Sequence, residues 1–189
     1  MKRCTNALAA LFGLFFILTA VNAGAAGSTA REIDTAKSTA LFSVEHIFVE
    51  TVTGTVPILR GTIVLPRDSM VPLSVSAVLD PARIKTGEDD RDGALQTADW
   101  FDTKRFPTWT FAATKISPAS NGRFAMDGIL TIHGVGRPVH LDVAVSGDAV
   151  HPVYHATGHV DRHAFGMNVT RLDPAVGTDV TVTLDIRVK

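Results

Sequence analysis

Histidines are the residues of this sequence whose type and spacing most clearly suggest chemistry. Four of the seven recur at every fourth position, at His151, His155, His159 and His163. On a helix this spacing would align the imidazoles on one face, where they could bind zinc. The intervening residues, which include a proline, a glycine, two valines and a tyrosine, favour a strand instead. On a strand, residues four apart are separated by about 13 Å, too far to share one ion. We therefore expect a solvated histidine face, with a histidine-based periplasmic metal-binding or stress protein as the alternative.

Two further histidines need separate interpretations. His46 falls on the same strand face as Phe42 and Val44, so it is either a hydrogen-bonded core residue or a contact for the polar head of a ligand. His133 precedes Gly134 and is expected to order a turn.

Catalytic motifs are not found in this sequence. It has no Gly-x-Ser-x-Gly elbow, no His-Glu-x-x-His pair and no phosphate-binding loop. The charged run Asp89, Asp90, Arg91 and Asp92 suits the start of a helix, where acids interact with the helix dipole. We predict no catalytic residue and no metal ligand.

The composition is that of one globular domain. The chain has 189 residues, 46% of them hydrophobic, which is enough to form a sizeable core. The net charge of -1 disfavours nucleic-acid binding, because it offers no bulk attraction to phosphates.

The N-terminus resembles an export signal. Basic residues at Lys2 and Arg3 precede an apolar run over 7–21, and small residues surround Ala23. We predict a signal peptide over residues 1–23, cleaved near Ala23, and a mature domain over 24–189. The single cysteine, Cys4, lies in the predicted signal, so the mature domain would have no disulfide.

Alternation of apolar and polar residues dominates the rest of the chain. The last segment shows it best, since Val180, Val182, Leu184, Ile186 and Val188 alternate with polar residues. Period-2 alternation predicts strands with one buried face. Similar runs separated by turn signals indicate an antiparallel meander.

Two segments break this alternation. The acidic start and helix-forming residues of 88–97 predict one short helix, despite Gly93. The aromatic-rich segment 100–107 is expected to be a packed connection that, with the helix, covers one end of the sheet.

About eight such strands must protect their edges, and a closed barrel does so completely, with a β-sandwich as the competing architecture. An eight-stranded barrel either fills with side chains or holds one slender ligand. The alternation places these side chains inside: Phe42, Val44, Ile63, Leu65, Val75, Leu79, Phe111, Leu130, Ile132, Leu141 and Val143.

Several motifs in this chain, taken in order, resemble those of the YceI-like family. They are FSVEH at 42–46, VTGT at 52–55, RD at 91–92, DWFD at 99–102, FPTWTF at 106–111, LTIHGV at 130–135 and DRHAFGM at 161–167. The chain departs from the family pattern at Ala94, where histidine is usual, and at Asp161, where asparagine is common. The first departure removes a polar group near the expected mouth of the barrel, so the resemblance implies no contact between this position and the head group of a ligand.

The resemblance implies an all-β, extended antiparallel barrel of about eight strands, lipocalin-like, with one or two short helices. It also implies a periplasmic protein that encloses a polyisoprenoid, a quinone tail or a similar long lipid and needs no cofactor. Family members often pair, so a homodimer and transient membrane contact are further expectations. On this interpretation the eleven inward residues bind the ligand together with His46, Leu95, Trp100 and Phe101, the last three near the opening.

Overall fold

The structure, a computed structural model, describes residues 27–46, 50–118, 120–168 and 175–189. The predicted signal peptide, residues 1–23, lies outside the described residues.

Within the described residues, ten antiparallel strands form a single sheet, so the predicted all-β class is confirmed. The strands are β1 (Ser28–Glu32), β2 (Thr39–His46), β3 (Glu50–Thr55), β4 (Ile58–Pro66), β5 (Ser74–Leu79), β6 (Trp109–Ile116), β7 (Arg123–Ile132), β8 (Val135–Gly147), β9 (Pro152–Asp161) and β10 (Val176–Arg187). Strands β4 to β10 are neighbours in chain order, as in a meander, whereas β1 pairs with β4 and β2 lies between β10 and β3.

The strand count of ten differs from the expected eight because two long strands bend. Ser28 lies opposite Pro66 at one end of the first hairpin, and His46 lies opposite Glu50 at the other. Residues 28–46 and 50–66 therefore form one long hairpin, interrupted near its middle. If β1 with β2 and β3 with β4 are each counted as one interrupted strand, the described part of the chain forms a barrel of eight strands.

The sheet closes on itself through the first of these long strands. Its β1 part pairs with β4, while its β2 part pairs with β10. Between them, Ile33 donates its N–H to the Gly61 carbonyl and bridges to Val188. One residue thus joins both sides of the seam, and a barrel is formed rather than two packed sheets.

Left-handed residue pairs mark two of the tight turns. His133 (φ +52°) and Gly134 (φ +74°) connect β7 to β8, and Asn121 (φ +52°) and Gly122 (φ +70°) precede β7. Two consecutive positive φ angles match the twist of flanking strands in two-residue hairpins. The His133 ring packs edge-on against Phe106, with centroids 4.9 Å apart, in agreement with the predicted turn-ordering role.

Short helical segments cover one end of the barrel. The helix α1 (Asp89–Leu95) lies within the predicted 88–97 segment, and 3₁₀ turns occupy Pro81–Arg83 and Arg162–Phe165. Trp100 and Phe101 are buried beside them, and the Phe101 ring meets Trp109 edge-on with centroids 4.7 Å apart. The aromatic segment is therefore the packed connection that the sequence predicts.

Candidate ligand-binding cavity

The inward side chains do not meet across the middle of the barrel. They surround a cavity of about 330 Å³ whose lining is almost entirely apolar and draws on strands β2 to β10 and on Ile33, which follows β1. This volume falls within the range of about 300–1,000 Å³ that is typical of small-molecule sites.

Partial exposure on the inner face shows how the cavity is formed. Val75, Phe111, Val182 and Leu184 point inward by alternation, yet each stays only half-buried because it faces open space. Small residues such as Ala156, which lies opposite Leu184, leave that space empty. A packed core would bury all of these side chains completely.

Two aromatic rings lie along the wall because each packs over a glycine of the neighbouring strand. A Cβ at Gly54 would fall 2.5 Å from the Phe42 ring, and one at Gly128 would fall 2.4 Å from the Phe111 ring. Each phenylalanine therefore covers the neighbouring strand's backbone. This packing keeps large apolar side chains in the lining without closing the cavity.

Fourteen of the fifteen residues predicted to contact a ligand line this cavity. Leu65 does not line it: it is buried in a cluster with Ile63 and Leu141. The fourteen are Phe42, Val44, His46, Ile63, Val75, Leu79, Leu95, Trp100, Phe101, Phe111, Leu130, Ile132, Leu141 and Val143. Their contact with a ligand stays a prediction.

Other lining residues were missed by the sequence analysis. Trp109 shares a strand face with Phe111, so alternation alone could have identified it. Phe124, Met126 and Tyr154 belong to the same lining. The Trp109 indole nitrogen is buried and has no hydrogen-bond partner among the described residues.

One part of the cavity is bounded by Tyr154. Its hydroxyl donates to the Met70 carbonyl at 2.8 Å, and its ring meets Phe124 edge-on. Burial raises the pKa of the Tyr154 hydroxyl to about 12, so this group stays protonated. With its hydroxyl held by the backbone, Tyr154 presents an apolar ring to the lining.

Arg162 is a buried cation in the lining, and its nitrogens donate hydrogen bonds to backbone carbonyls. Its guanidinium donates to the carbonyls of Gly177, Val176 and Met167 and lies 5.8 Å from the centre of the Trp100 ring. These bonds satisfy the charge that burial would otherwise penalise. Arg162 therefore holds the start of β10 against the end of the barrel.

A second polar group centres on Thr86. Its N–H and hydroxyl donate to the buried Asp92 carboxylate at 2.8 and 2.7 Å, and Arg91 donates to the Thr86 hydroxyl and carbonyl. Lys85 lies 3.3 Å from the same carboxylate. The hydrogen bond from the Thr86 hydroxyl, reinforced by Lys85, lowers the pKa of Asp92. Thr86 and Arg91 both line the cavity, so this network forms its polar border.

Two of the exposed histidines of β9 are paired with aspartates on the neighbouring strand β10. His155 lies 2.9 Å from Asp185, and His159 lies 2.8 Å from Asp179. Both imidazoles are exposed, as predicted for a solvated face. Within the described residues, no group of three or more histidine, cysteine or acidic side chains is placed to hold a metal ion.

None of the described helices combines the length and hydropathy needed to cross a membrane.

Known proteins share both the sequence pattern and the architecture of this chain. Protein YceI of Escherichia coli is 26% identical over 144 residues, which are 75% of each chain. The crystal structure of BcnA from Burkholderia cenocepacia has a TM-score of 0.70 at 20% identity, covering 83% of this chain and 99% of BcnA. A polyisoprenoid-binding domain from Saccharophagus degradans has a TM-score of 0.65 at 16% identity, covering 84% of this chain and 97% of that domain.

The sequence profile of the YceI-like domain matches residues 32–188, from the last residue of β1 to the residue after β10. A match of this extent covers the barrel and the segments that close its end, and the chain belongs to the YceI-like family.

Proposed function

We propose that this protein is an exported, periplasmic carrier that encloses one long apolar lipid, such as a polyisoprenoid or an isoprenoid quinone tail, in its barrel. The observation that carries the proposal is the continuous apolar cavity of about 330 Å³. Such a lining suits hydrocarbon and offers few partners to a sugar or a nucleotide. The structural likeness to a polyisoprenoid-binding domain supports the same class of ligand.

Energetics favour a carrier over an irreversible sink. Transfer of a chain of about 40 carbons from water, at roughly 0.8 kcal/mol per methylene, would release about 30 kcal/mol. Non-covalent affinities do not exceed about 21 kcal/mol, so water is the wrong reference state. In a cell the lipid starts in a membrane about as apolar as the barrel. The net preference is therefore small, and binding is reversible.

Identification of the molecule bound in the barrel tests this proposal. Protein recovered from cells that express the full chain would be analysed by native mass spectrometry, and its organic extract by lipid mass spectrometry. We expect one lipid per barrel with a long unsaturated or saturated chain. A protein that carries no lipid and takes up none from supplied polyisoprenoids would overturn the proposal.

A cavity-filling variant makes this test specific. Leu184 faces the cavity opposite Ala40 and Ala156, so Leu184→Trp would place a large ring in the open space. We expect this variant to fold and to lose the lipid. Thr183→Trp is the matched control, because the same side chain on the next residue of β10 points outward and should leave the lipid bound.

The same experiment locates the protein. Peptide mapping of the mature chain should find its N-terminus near Gly24 in the periplasmic fraction. Recovery of the intact N-terminus in the cytoplasm would contradict export.

A further inference from the structure

Arg91 is a charged side chain at the border of a cavity whose lining is almost entirely apolar. Its Nε donates to the Thr86 hydroxyl at 2.8 Å and its Nη2 to the Thr86 carbonyl at 3.1 Å. These two bonds fix the guanidinium plane. Its Nη1 has no hydrogen-bond partner among the described residues. A guanidinium is always charged and can only donate, so Arg91 retains donor capacity for an oxygen atom.

Three other polar groups of the lining, on Arg162, Tyr154 and Thr86, are already engaged, whereas the Trp109 indole N–H is a second donor without a partner among the described residues. Arg162 donates to three backbone carbonyls, and the Tyr154 hydroxyl donates to Met70. The Thr86 hydroxyl is held between Arg91 and Asp92. Arg91 is therefore the group in this network that retains donor capacity for an incoming ligand.

The charge around Arg91 limits the kind of head group that fits. Lys85, the neighbouring cation, is shared between Asp92 at 3.3 Å and Asp89 at 3.4 Å. These two carboxylates raise the pKa of Lys85, and the Lys85 ammonium is paired with both of them. Glu88 and Asp90 are exposed on the same helical segment. The segment 85–92 thus carries two cations and four acids, so a multiply charged anion bound beside Arg91 would meet a net negative charge that one guanidinium does not offset.

We propose that Arg91 is a specificity-determining residue that donates to a single carbonyl or hydroxyl oxygen on the head of the enclosed lipid, and that the acidic helix beside it rejects a diphosphate head. This proposal rests on the proposed carrier function and names the ligand's head-group class. A purely apolar cavity, by contrast, would bind a hydrocarbon chain regardless of its head group.

Four probes with one common chain test the proposal: geranylgeraniol, its aldehyde, its diphosphate and the corresponding hydrocarbon. Trp100 and Trp109 are the two tryptophans of the chain and both line the cavity, so their fluorescence reports binding. For each probe, the affinity of a variant is divided by the affinity of the unmodified protein. The hydration free energy of the free probe contributes equally to both affinities and cancels in this ratio.

Arg91→Gln should weaken the alcohol and aldehyde about tenfold or more, the usual effect of losing a hydrogen bond to a charged group, and leave the hydrocarbon unchanged. The unmodified protein should bind the diphosphate more weakly than the alcohol. The double variant Asp89→Asn/Asp90→Asn should strengthen diphosphate binding.

Matched controls separate a local effect from a change in net charge. Arg83→Gln removes a cation from the neighbouring 3₁₀ turn, where Arg83 pairs with Asp80 outside the cavity, and should leave all four affinities unchanged. Asp68→Asn removes an exposed acid on the β4–β5 connection and should not affect the diphosphate. If Arg91→Gln does not fold, Arg91→Lys keeps the charge without the two Thr86 bonds and should show a smaller loss for the same two probes.

The outcomes distinguish this proposal from the carrier function. If no probe binds the unmodified protein, the carrier function fails. If the hydrocarbon binds but the diphosphate binds as tightly as the alcohol, or the Arg91 variants weaken every probe equally, the carrier function stands and the head-group proposal is wrong.

Discussion

At the scale of single residues, the aspartate beside His140 should raise the pKa of the His140 imidazole. Its Nδ1 lies 2.6 Å from Asp127 on β7, and its Nε2 lies 3.7 Å from Asp142 on its own strand. The hydrogen bond to Asp127 raises the pKa of His140 above its ordinary value near 6.5. The folded state therefore favours the protonated imidazole. The stabilisation is fully present below about pH 6.5 and is lost as the pH rises through the folded pKa.

We expect the His140 ring signals in an NMR titration to move with a raised pKa, and Asp127→Asn to bring that pKa back towards its ordinary value. The effect on unfolding should be only a few tenths of a kcal/mol, because both side chains are about half exposed and screened by solvent. Asp68→Asn is the control for a general loss of negative charge. A titration that Asp127→Asn leaves unchanged would contradict the assignment of the shift to this pair.

At the scale of elements, Asp92 ties helix α1 to the segment that closes the barrel end. Removing it by Asp92→Ala leaves the Thr86 N–H and hydroxyl without their acceptor, which should cost about 1–3 kcal/mol in the free energy of unfolding. The pKa of Asp92 is lowered in the folded state, so the carboxylate stabilises the fold above pH 4 and this contribution is lost on acidification. Urea unfolding of both proteins at pH 7 and pH 3 should show a difference that shrinks at the lower pH.

Asp90→Ala is the matched control, since Asp90 is exposed on the same helix and should change the unfolding free energy little. An Asp92 variant as stable as the original at pH 7, or a stability difference that does not depend on pH, would show that the Thr86 network does not anchor this helix.

The elements also show what the sequence could predict and what it could not. Alternation along 180–188 correctly placed Val182 and Leu184 inside, because the strand period alone determines which face a side chain occupies. It could not tell a cavity from a packed core, since that depends on the distance across the barrel and on pairs such as Phe42 and Gly54. Thr86 was missed because its importance comes from two partners five and six residues later, Arg91 and Asp92.

At the scale of the whole molecule, closure of the sheet through both halves of its first long strand surrounds the apolar cavity with strands. Ile33 forms part of the seam, and the helical segments cover one end. An apolar interior in an aqueous compartment should exchange its contents with membranes, because hydrocarbon has nearly the same free energy in both. We expect transfer in both directions with a partition ratio near one.

Vesicles containing a fluorescent polyprenol measure this exchange directly. Protein freed of lipid should gain the probe from labelled vesicles, and loaded protein should lose it to unlabelled ones, with both reactions reaching the same final distribution. Leu184→Trp should neither gain nor deliver the probe, whereas Thr183→Trp should behave like the original protein. Loading and release should reach the same final distribution because both depend on the same small difference in free energy between barrel and membrane. Probe that enters the barrel and never returns to vesicles would contradict this expectation and would indicate storage rather than carrying.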